Sequence, residues 1–220
     1  MTCCCSDFGG AADLQFTQKK AAQELARYRR KGPGPTTRLL QDGLTKAETI
    51  DGLLLDIGCG IGSLTFGLLD AGATGAVAVD ASSAYISAAT EEAGRRGVTH
   101  AVRFVHGDFV TVASRLPVAS VVTLDRVVCC YPACDLLLGE ALARAERSIA
   151  LSYPRDAWHV RAGIAIENGM RRLAGNPFRT FVHPVGRMEQ LITQAGFELV
   201  SRRETLAWAV DVYKRGSPHS

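Results

Sequence analysis
Two rhythms of apolar and polar positions run along this chain. Nearly unbroken apolar runs at residues 53–57, 75–79, 120–124 and 148–153 have the composition of strands buried on both faces of a parallel sheet. Between them, residues 63–70, 82–96 and 134–145 carry apolar positions at helical spacing, with Ser82 as the expected N-cap and Gly97 as the stop of the second helix. Residues 102–109 add a strand that runs into a loop. Strand and helix in regular alternation predict a parallel sheet with helices on both faces. After residue 154 the rhythm breaks into an excursion, residues 155–181, in which Trp158, Ala162, Ile166, Met170 and Leu173 fall near one helical face. A further helix over about 186–195 leads to two terminal strands, around 197–200 and 206–213, whose short connection makes them an antiparallel hairpin.

Ahead of the sheet, residues 1–16 read as a loosely ordered start. Residues 17–30 set Ala21, Ala22, Leu25 and Tyr28 against Lys19, Lys20, Arg27, Arg29 and Arg30, an amphipathic basic helix that stops at Lys31-Gly32-Pro33-Gly34-Pro35. Thr36 or Thr37 is the expected cap of a second short helix through Leu39, Leu40 and Leu44. The expected organisation is a helical cover over residues 1–48 and a main domain over 49–220, with residues 155–181 as a helical insertion. The basic helix face is either a solvated side or an electropositive rim for an anionic substrate or a membrane surface.

Composition narrows the class without naming it. A chain of 220 residues, 47% of them hydrophobic, suits one globular domain able to bury most of its apolar surface. A net charge of +3 is too mild to argue for nucleic acid, and no apolar run reaches the length of a membrane span. The start, Met1-Thr2-Cys3-Cys4-Cys5, has no secretory character, so a soluble cytoplasmic protein is expected. Seven cysteines lie at 3, 4, 5, 59, 129, 130 and 134 without the paired C-x-x-C spacing of a zinc site, and no metal is expected.

The chemistry centres on residues 53–62, where the first strand ends in Asp56 and is followed by Gly58, Gly60 and Gly62. Glycine lets backbone approach a ligand closely. A dinucleotide turn wants G-x-G-x-x-G, and Ser63 stands where its third glycine belongs; a P-loop fails for lack of Gly-Lys-Ser/Thr. The register D-x-G-x-G-x-G resembles the first motif of the class I S-adenosylmethionine-dependent methyltransferases. That resemblance covers about residues 50–214 and implies a Rossmann-like α/β fold, a seven-stranded sheet with six parallel strands and one antiparallel, helices on both faces, and S-adenosyl-L-methionine as cofactor.

Ligands of open α/β sheets bind beyond the carboxyl ends of the strands. By the resemblance, Gly58, Gly60 and Gly62, with Cys59 between them, approach the methionine portion of the cofactor, and Asp56 and Asp125 face its ammonium. Asp80, ending the second strand, is placed to accept from both ribose hydroxyls; Asp108 is implied beside the adenine amino group and Phe109 against its ring. The alternative for Asp80 and Asp108 is capping of turns and helices.

Within the class the chain looks most like magnesium-protoporphyrin and quinone-type O-methyltransferases. The points of similarity are Tyr28-Arg29-Arg30-Lys31-Gly32, Asp125 followed by Cys129-Cys130-Tyr131-Pro132, and Arg179-Thr180-Phe181-Val182-His183-Pro184. The implied activity is O-methylation of a small apolar or anionic acceptor, a porphyrin-like carboxylate or a phenol. Nucleic-acid methylation and a non-catalytic cofactor-binding module are the alternatives. His183 is read either as a general base or as a structural histidine, and Tyr131 as a residue at the reacting centre. Arg29, Arg30, Arg126 and Arg179 are the candidates to orient a carboxylate. Trp158, Phe178 and Phe181 either floor the acceptor pocket or bury the inserted helix.

Overall fold
A computed structural model of the chain describes residues 8–216. Three helices come first: α1 (Phe8–Gln15), α2 (Gln18–Lys31) and α3 (Pro35–Lys46). They are followed by β1 (Gly52–Ile57), α4 (Ser63–Asp70), β2 (Ala73–Asp80), α5 (Ser83–Arg96), β3 (Val102–His106), α6 (Phe109–Val112), β4 (Ala119–Asp125) and α7 (Cys134–Leu142). The chain ends with β5 (Ala145–Pro154), α8 (Trp158–Leu173), α9 (Val185–Gln194), β6 (Phe197–Glu204) and β7 (Trp208–Arg215). The seven strands form one sheet in the order β3-β2-β1-β4-β5-β7-β6. Only β7 runs against its neighbours, so six strands are parallel to one another.

Strand periodicity divides the core in two. Leu55, Val122, Leu124 and Ile149 face α7 and α9, whose Leu137, Leu138, Met188 and Ile192 are buried with them. Leu54, Val121, Ala150 and Val212 face the other way, against Leu64 and Leu68 of α4 and Leu40 and Leu44 of α3. Because Leu40 and Leu44 are fully buried, α3 is part of the core. α2 packs on α5, where Glu92, itself buried, accepts from Arg29 Nε at 2.8 Å and Arg95 Nε at 2.9 Å.

Local expectations fail where tertiary contacts decide. Residues 8–15 are helical because Ala12 is buried and Phe8 packs edge-on against Tyr131 at 4.8 Å; residues 1–7, with Cys3, Cys4 and Cys5, lie outside the described residues. Thr36 and Thr37 do not cap α3. Pro35 occupies its first turn after Gly34, and the Thr37 hydroxyl is taken by Asp125 at 2.6 Å. The helix before β5 ends at Leu142, because Ala145 already pairs with Ala119. Within α8 the apolar face is not buried: Trp158, Ile166, Met170 and Leu173 are exposed, and Val160 is the buried residue.

The terminal hairpin is tied to the parallel sheet by a buried carboxylate. Asp211 accepts from Tyr153 Oη at 2.7 Å, from Tyr213 Oη at 3.2 Å, and from Arg202 Nε and Nη2 at 2.8 and 2.7 Å. Burial, reinforced by Asp211, raises the Tyr153 phenol above its ordinary value. Asp211→Ala would leave two buried hydroxyls without their acceptor and Arg202 with Glu189 alone, and should cost about 3 kcal/mol. Tyr153→Phe should cost only about 1 kcal/mol. Urea unfolding of the two variants checks this order, and equal losses would show that the carboxylate does not hold the hairpin.

Candidate functional site
A cavity of about 540 Å³ opens at the carboxyl ends of β1, β2 and β4, within the range of about 300–1,000 Å³ common for small-molecule sites. Its floor is the glycine turn after β1. Gly58, Gly60 and Gly62 all have left-handed backbone, with φ of 65°, 56° and 80°. A Cβ on Gly58 would lie 2.3 Å from Val127 and one on Gly62 2.7 Å from the Phe66 ring, so both positions exclude a side chain. The turn is held to the next strand by Cys59 N donating to Val79 O at 3.0 Å. Ser63 Oγ, on the cavity wall, is buried without a partner among the described residues.

Four carboxylates surround this turn. Asp56 is fully buried and accepts from Thr65 Oγ1 at 2.6 Å and Thr123 Oγ1 at 2.7 Å; burial nevertheless pushes it up to about 6. Asp80 accepts from Gly60 N and Ser82 N, both at 2.8 Å. It lines the cavity, and burial pushes it up to about 6 against those two bonds. A carboxylate has about four acceptor sites, so two remain on Asp80 for a ligand. Asp108 caps α6 through Val110 N at 3.0 Å and accepts from Tyr131 Oη at 3.1 Å; burial raises it as well. Asp125 accepts from Thr37 Oγ1 and Ser152 Oγ, both at 2.6 Å.

Beyond the carboxylates the walls are aromatic and apolar: Phe8, Phe16, Tyr85, Phe109, Tyr131 and Phe178 line the cavity. Phe16 joins Tyr85 and Phe178 in edge-to-face contacts at 5.5 and 5.1 Å. Arg126 follows β4 with φ 61°, a strained value for a side-chain-bearing residue. Its N–H donates to Ser152 Oγ at 2.8 Å, and the thiols of Cys129 and Cys130 donate to its carbonyl. That backbone turn puts Arg126 on the cavity wall.

The expected residues therefore divide. Asp56, Gly58, Cys59, Gly60, Asp80, Asp108, Phe109, Asp125 and Tyr131 all line the cavity, and Gly62 stands directly behind it at the start of α4. Tyr131 is buried, with its hydroxyl on Asp108. His183 is not on the cavity wall. Its Nε2 meets Tyr131 O at 3.0 Å, burial lowers its pKa, and it fastens the segment after α8 to the turn after β4. Phe181 belongs to the same fastening, its N–H on Cys129 O and its ring stacked on His183. Trp158 is 82% exposed and neither floors the cavity nor buries α8.

Among the arginines, Arg29 is bound to Glu91 and Glu92, Arg179 to the carbonyls of Asn176 and Phe178, and Arg30 is exposed; only Arg126 of the four lines the cavity. Sequence reading missed Glu24, Arg27, Thr37, Tyr85, His159, Glu167 and Arg171 on its walls. The i, i+4 spacing of His159, Gly163 and Glu167 marks the inner face of α8, but the more apolar outer face masked it. The thiols at 129 and 130 lie 3.7 Å apart, and among the described residues no group of three metal-type ligands occurs.

Comparison with known proteins agrees with this geometry. The family model described as a methyltransferase domain matches residues 54–150. The ribosomal protein L11 methyltransferase of Nitrosococcus oceani is 32% identical over 133 residues, 60% of this chain and 40% of that protein. Its counterpart from Parasynechococcus marenigrum is 28% identical over 179 residues, 81% of this chain and 54% of that protein. The chain thus spans about half the length of the curated relatives it matches. Among solved structures, magnesium protoporphyrin IX methyltransferase from Synechocystis PCC 6803 with bound SAM superposes with a TM-score of 0.70 at 18% identity, covering 98% of this chain and 100% of that one. An O-methyltransferase family 2 protein from Planctomyces limnophilus in complex with apigenin gives 0.65 at 15% identity, covering 91% of this chain and 62% of that one. With the sheet order, the glycine turn and the matched family model in agreement, residues 54–150 of this chain belong to a methyltransferase domain.

Proposed function
We propose that the chain transfers a methyl group from S-adenosyl-L-methionine to an oxygen of a small, largely apolar, anionic acceptor. The observation that carries this reading is the pairing, in one cavity, of an acid-ringed glycine turn with an aromatic chamber that holds three arginines, Arg27, Arg126 and Arg171, on its wall. The residues present fit the cofactor. Gly58 and Gly62, packed under Val127 and Phe66, fix the left-handed turn that faces the cavity, Asp80 keeps two acceptor sites for ribose hydroxyls, and the orphaned Ser63 Oγ gains a partner from a polar ligand. Asp108 and Phe109 bound the adenine side, and Asp56 and Asp125 the side of positive charge.

When bound, S-adenosyl-L-methionine supplies an electrophilic methyl group on a sulfonium. The chain's own work is to hold an acceptor in line with it and to keep water away. Phe16, Tyr85 and Phe178 exclude water, while Arg126 orients an acceptor carboxylate through its planar fork. An ionised carboxylate needs no base, which agrees with the absence of His183 from the cavity wall. Tyr131 acts here as a wall and as the partner of Asp108. The cover of this chamber is α1, α2 and the link between them, which supply Phe8, Gln15, Phe16, Glu24 and Arg27.

The names of the curated relatives carry a second reading, methylation of a protein. A labelled-methyl transfer screen over small carboxylates, phenols, porphyrins and a ribosomal protein extract separates the two. Label confined to protein would overturn the small-molecule reading.

Replacing Asp80 with Ala removes charge-assisted hydrogen bonds of about 1.5–3 kcal/mol, so cofactor affinity should fall by about 10- to 150-fold in calorimetry. Unchanged affinity would remove Asp80 from the cofactor site.

Asp56 and Asp80 both stand near 6, so each takes up a proton as pH falls through that value. A cationic ligand that requires one of them ionised should bind about tenfold more weakly for each pH unit below about 6. In the unliganded chain the sign reverses: a carboxyl raised above its unfolded value of about 3.9 contributes stability that is complete below that value and lost as pH rises through about 6. The thermal stabilisation conferred by saturating S-adenosyl-L-methionine should therefore be larger at about pH 7.5 than at about pH 5. A gain independent of pH would contradict this assignment.

Arg126→Ala should raise KM for a carboxylate acceptor by about 10- to 150-fold while leaving cofactor affinity intact. Arg29→Ala should change neither, since Arg29 is already bound to Glu91 and Glu92. Steady-state kinetics of both variants decide this, and equal effects would sink the carboxylate clamp.

A further inference from the structure
Five of the ten large apolar side chains exposed among the described residues are Trp158, Ile166, Met170 and Leu173 of α8 and Leu206 of the β6–β7 turn. Their exposures run from 59% to 90%, far beyond the edge exposure of a packed helix. They belong to one surface. At about 100° per residue Trp158, Leu173 and Ile166 fall within about 80° of one another, next to the side that His159, Gly163, Glu167 and Arg171 turn to the cavity, and Met170 stands at the boundary between the two. Leu206 adjoins the start of α8, where His159 Nε2 meets Leu206 O at 3.3 Å, and it also lines the cavity. The apolar surface therefore reaches the mouth of the chamber. Soluble monomers leave such side chains exposed singly, whereas a contiguous set marks an interaction site.

Charge identifies the partner. Arg161 and Arg172 lie along the edge of the apolar side of α8 that is away from the cavity; Arg161 pairs with Asp156, and Arg172 has no ion pair among the described residues. At the far end, Asn176 holds the Gln15 side chain, and Lys20 donates its ammonium to Gln15 O, so another cation adjoins this rim. The acid of α8, Glu167, is turned to the cavity and neutralised by Arg171. An apolar stripe that begins with a tryptophan and is edged by cations is the pattern of a helix lying in the headgroup plane of an anionic bilayer.

We propose that the outer side of α8, with Leu206, docks on an anionic lipid surface and turns the mouth of the cavity toward it. This stands apart from the identity of the acceptor, because it is read without any turnover. The full chain should co-sediment with vesicles of equimolar phosphatidylcholine and phosphatidylglycerol, and more weakly with phosphatidylcholine alone. In a Trp208→Phe background, Trp158 emission should shift to the blue on the anionic vesicles.

Combined replacement of Trp158, Ile166, Met170 and Leu173 by Ser should weaken vesicle binding by at least about tenfold and leave the thermal unfolding midpoint unchanged, since the four side chains contact mainly solvent. Arg172→Glu should weaken binding to the anionic vesicles while keeping the apolar side intact. No binding to anionic vesicles, or equal binding by the serine variant, would overturn the proposal. So would a lipid-free dimer in gel filtration that the serine variant dissociates, which would assign the surface to a second copy of the chain.

Discussion
Asp56 sits at the centre of the sheet with no contact to water, and a carboxylate in that position costs several kcal/mol unless hydrogen bonds replace its hydration. The two replacements come from separate elements, Thr65 in α4 and Thr123 in β4. The clamp therefore fixes the start of α4 relative to the carboxyl end of β4, and the glycine turn is the chain that must pass between them. Every other polar feature of the cavity is measured from that turn: Asp80 reaches it through Gly60 N, and Val127 after β4 fills the space a side chain at position 58 would need.

The same physics explains why carboxylates of one type do different work. Asp211 is buried, yet a bidentate arginine and two phenols saturate it, so it serves as a joint. Asp80 is held by two backbone N–H groups and keeps capacity in reserve toward open space. Asp108 divides itself between capping α6 and the Tyr131 hydroxyl. One oxygen caps α6 and the other meets Tyr131 on the cavity wall, so Asp108 is a capping residue as well as a wall residue.

Legibility followed locality. The strand ends carrying Asp56, Asp80 and Asp125 and the cap at Ser82 depend on runs of neighbouring residues, and they stand where pattern puts them. Thr37 was misread because its partner Asp125 lies 88 positions away, and no local rule sees a hydroxyl drawn off by a distant strand. His183 was left with two readings for a similar reason: its proximity in sequence to α9 said nothing of the Tyr131 carbonyl that claims its ring. Trp158 and Leu173 misled because helical spacing reports a shared face but not whether protein covers it.

The helix α1 closes the chamber with modest means. It is eight residues long, begins with two glycines after Phe8, and buries Ala12. Most of its anchoring is polar: Asp13 to Ser83, Phe16 O to Ser82 Oγ, and Gln15 to Asn176. Bonds of that kind exchange readily with water, so unwinding this one element sacrifices little of the apolar core. Fraying of this one short helix would thus open the Phe8 side of the chamber while the sheet and the carboxylates beneath it stay in place.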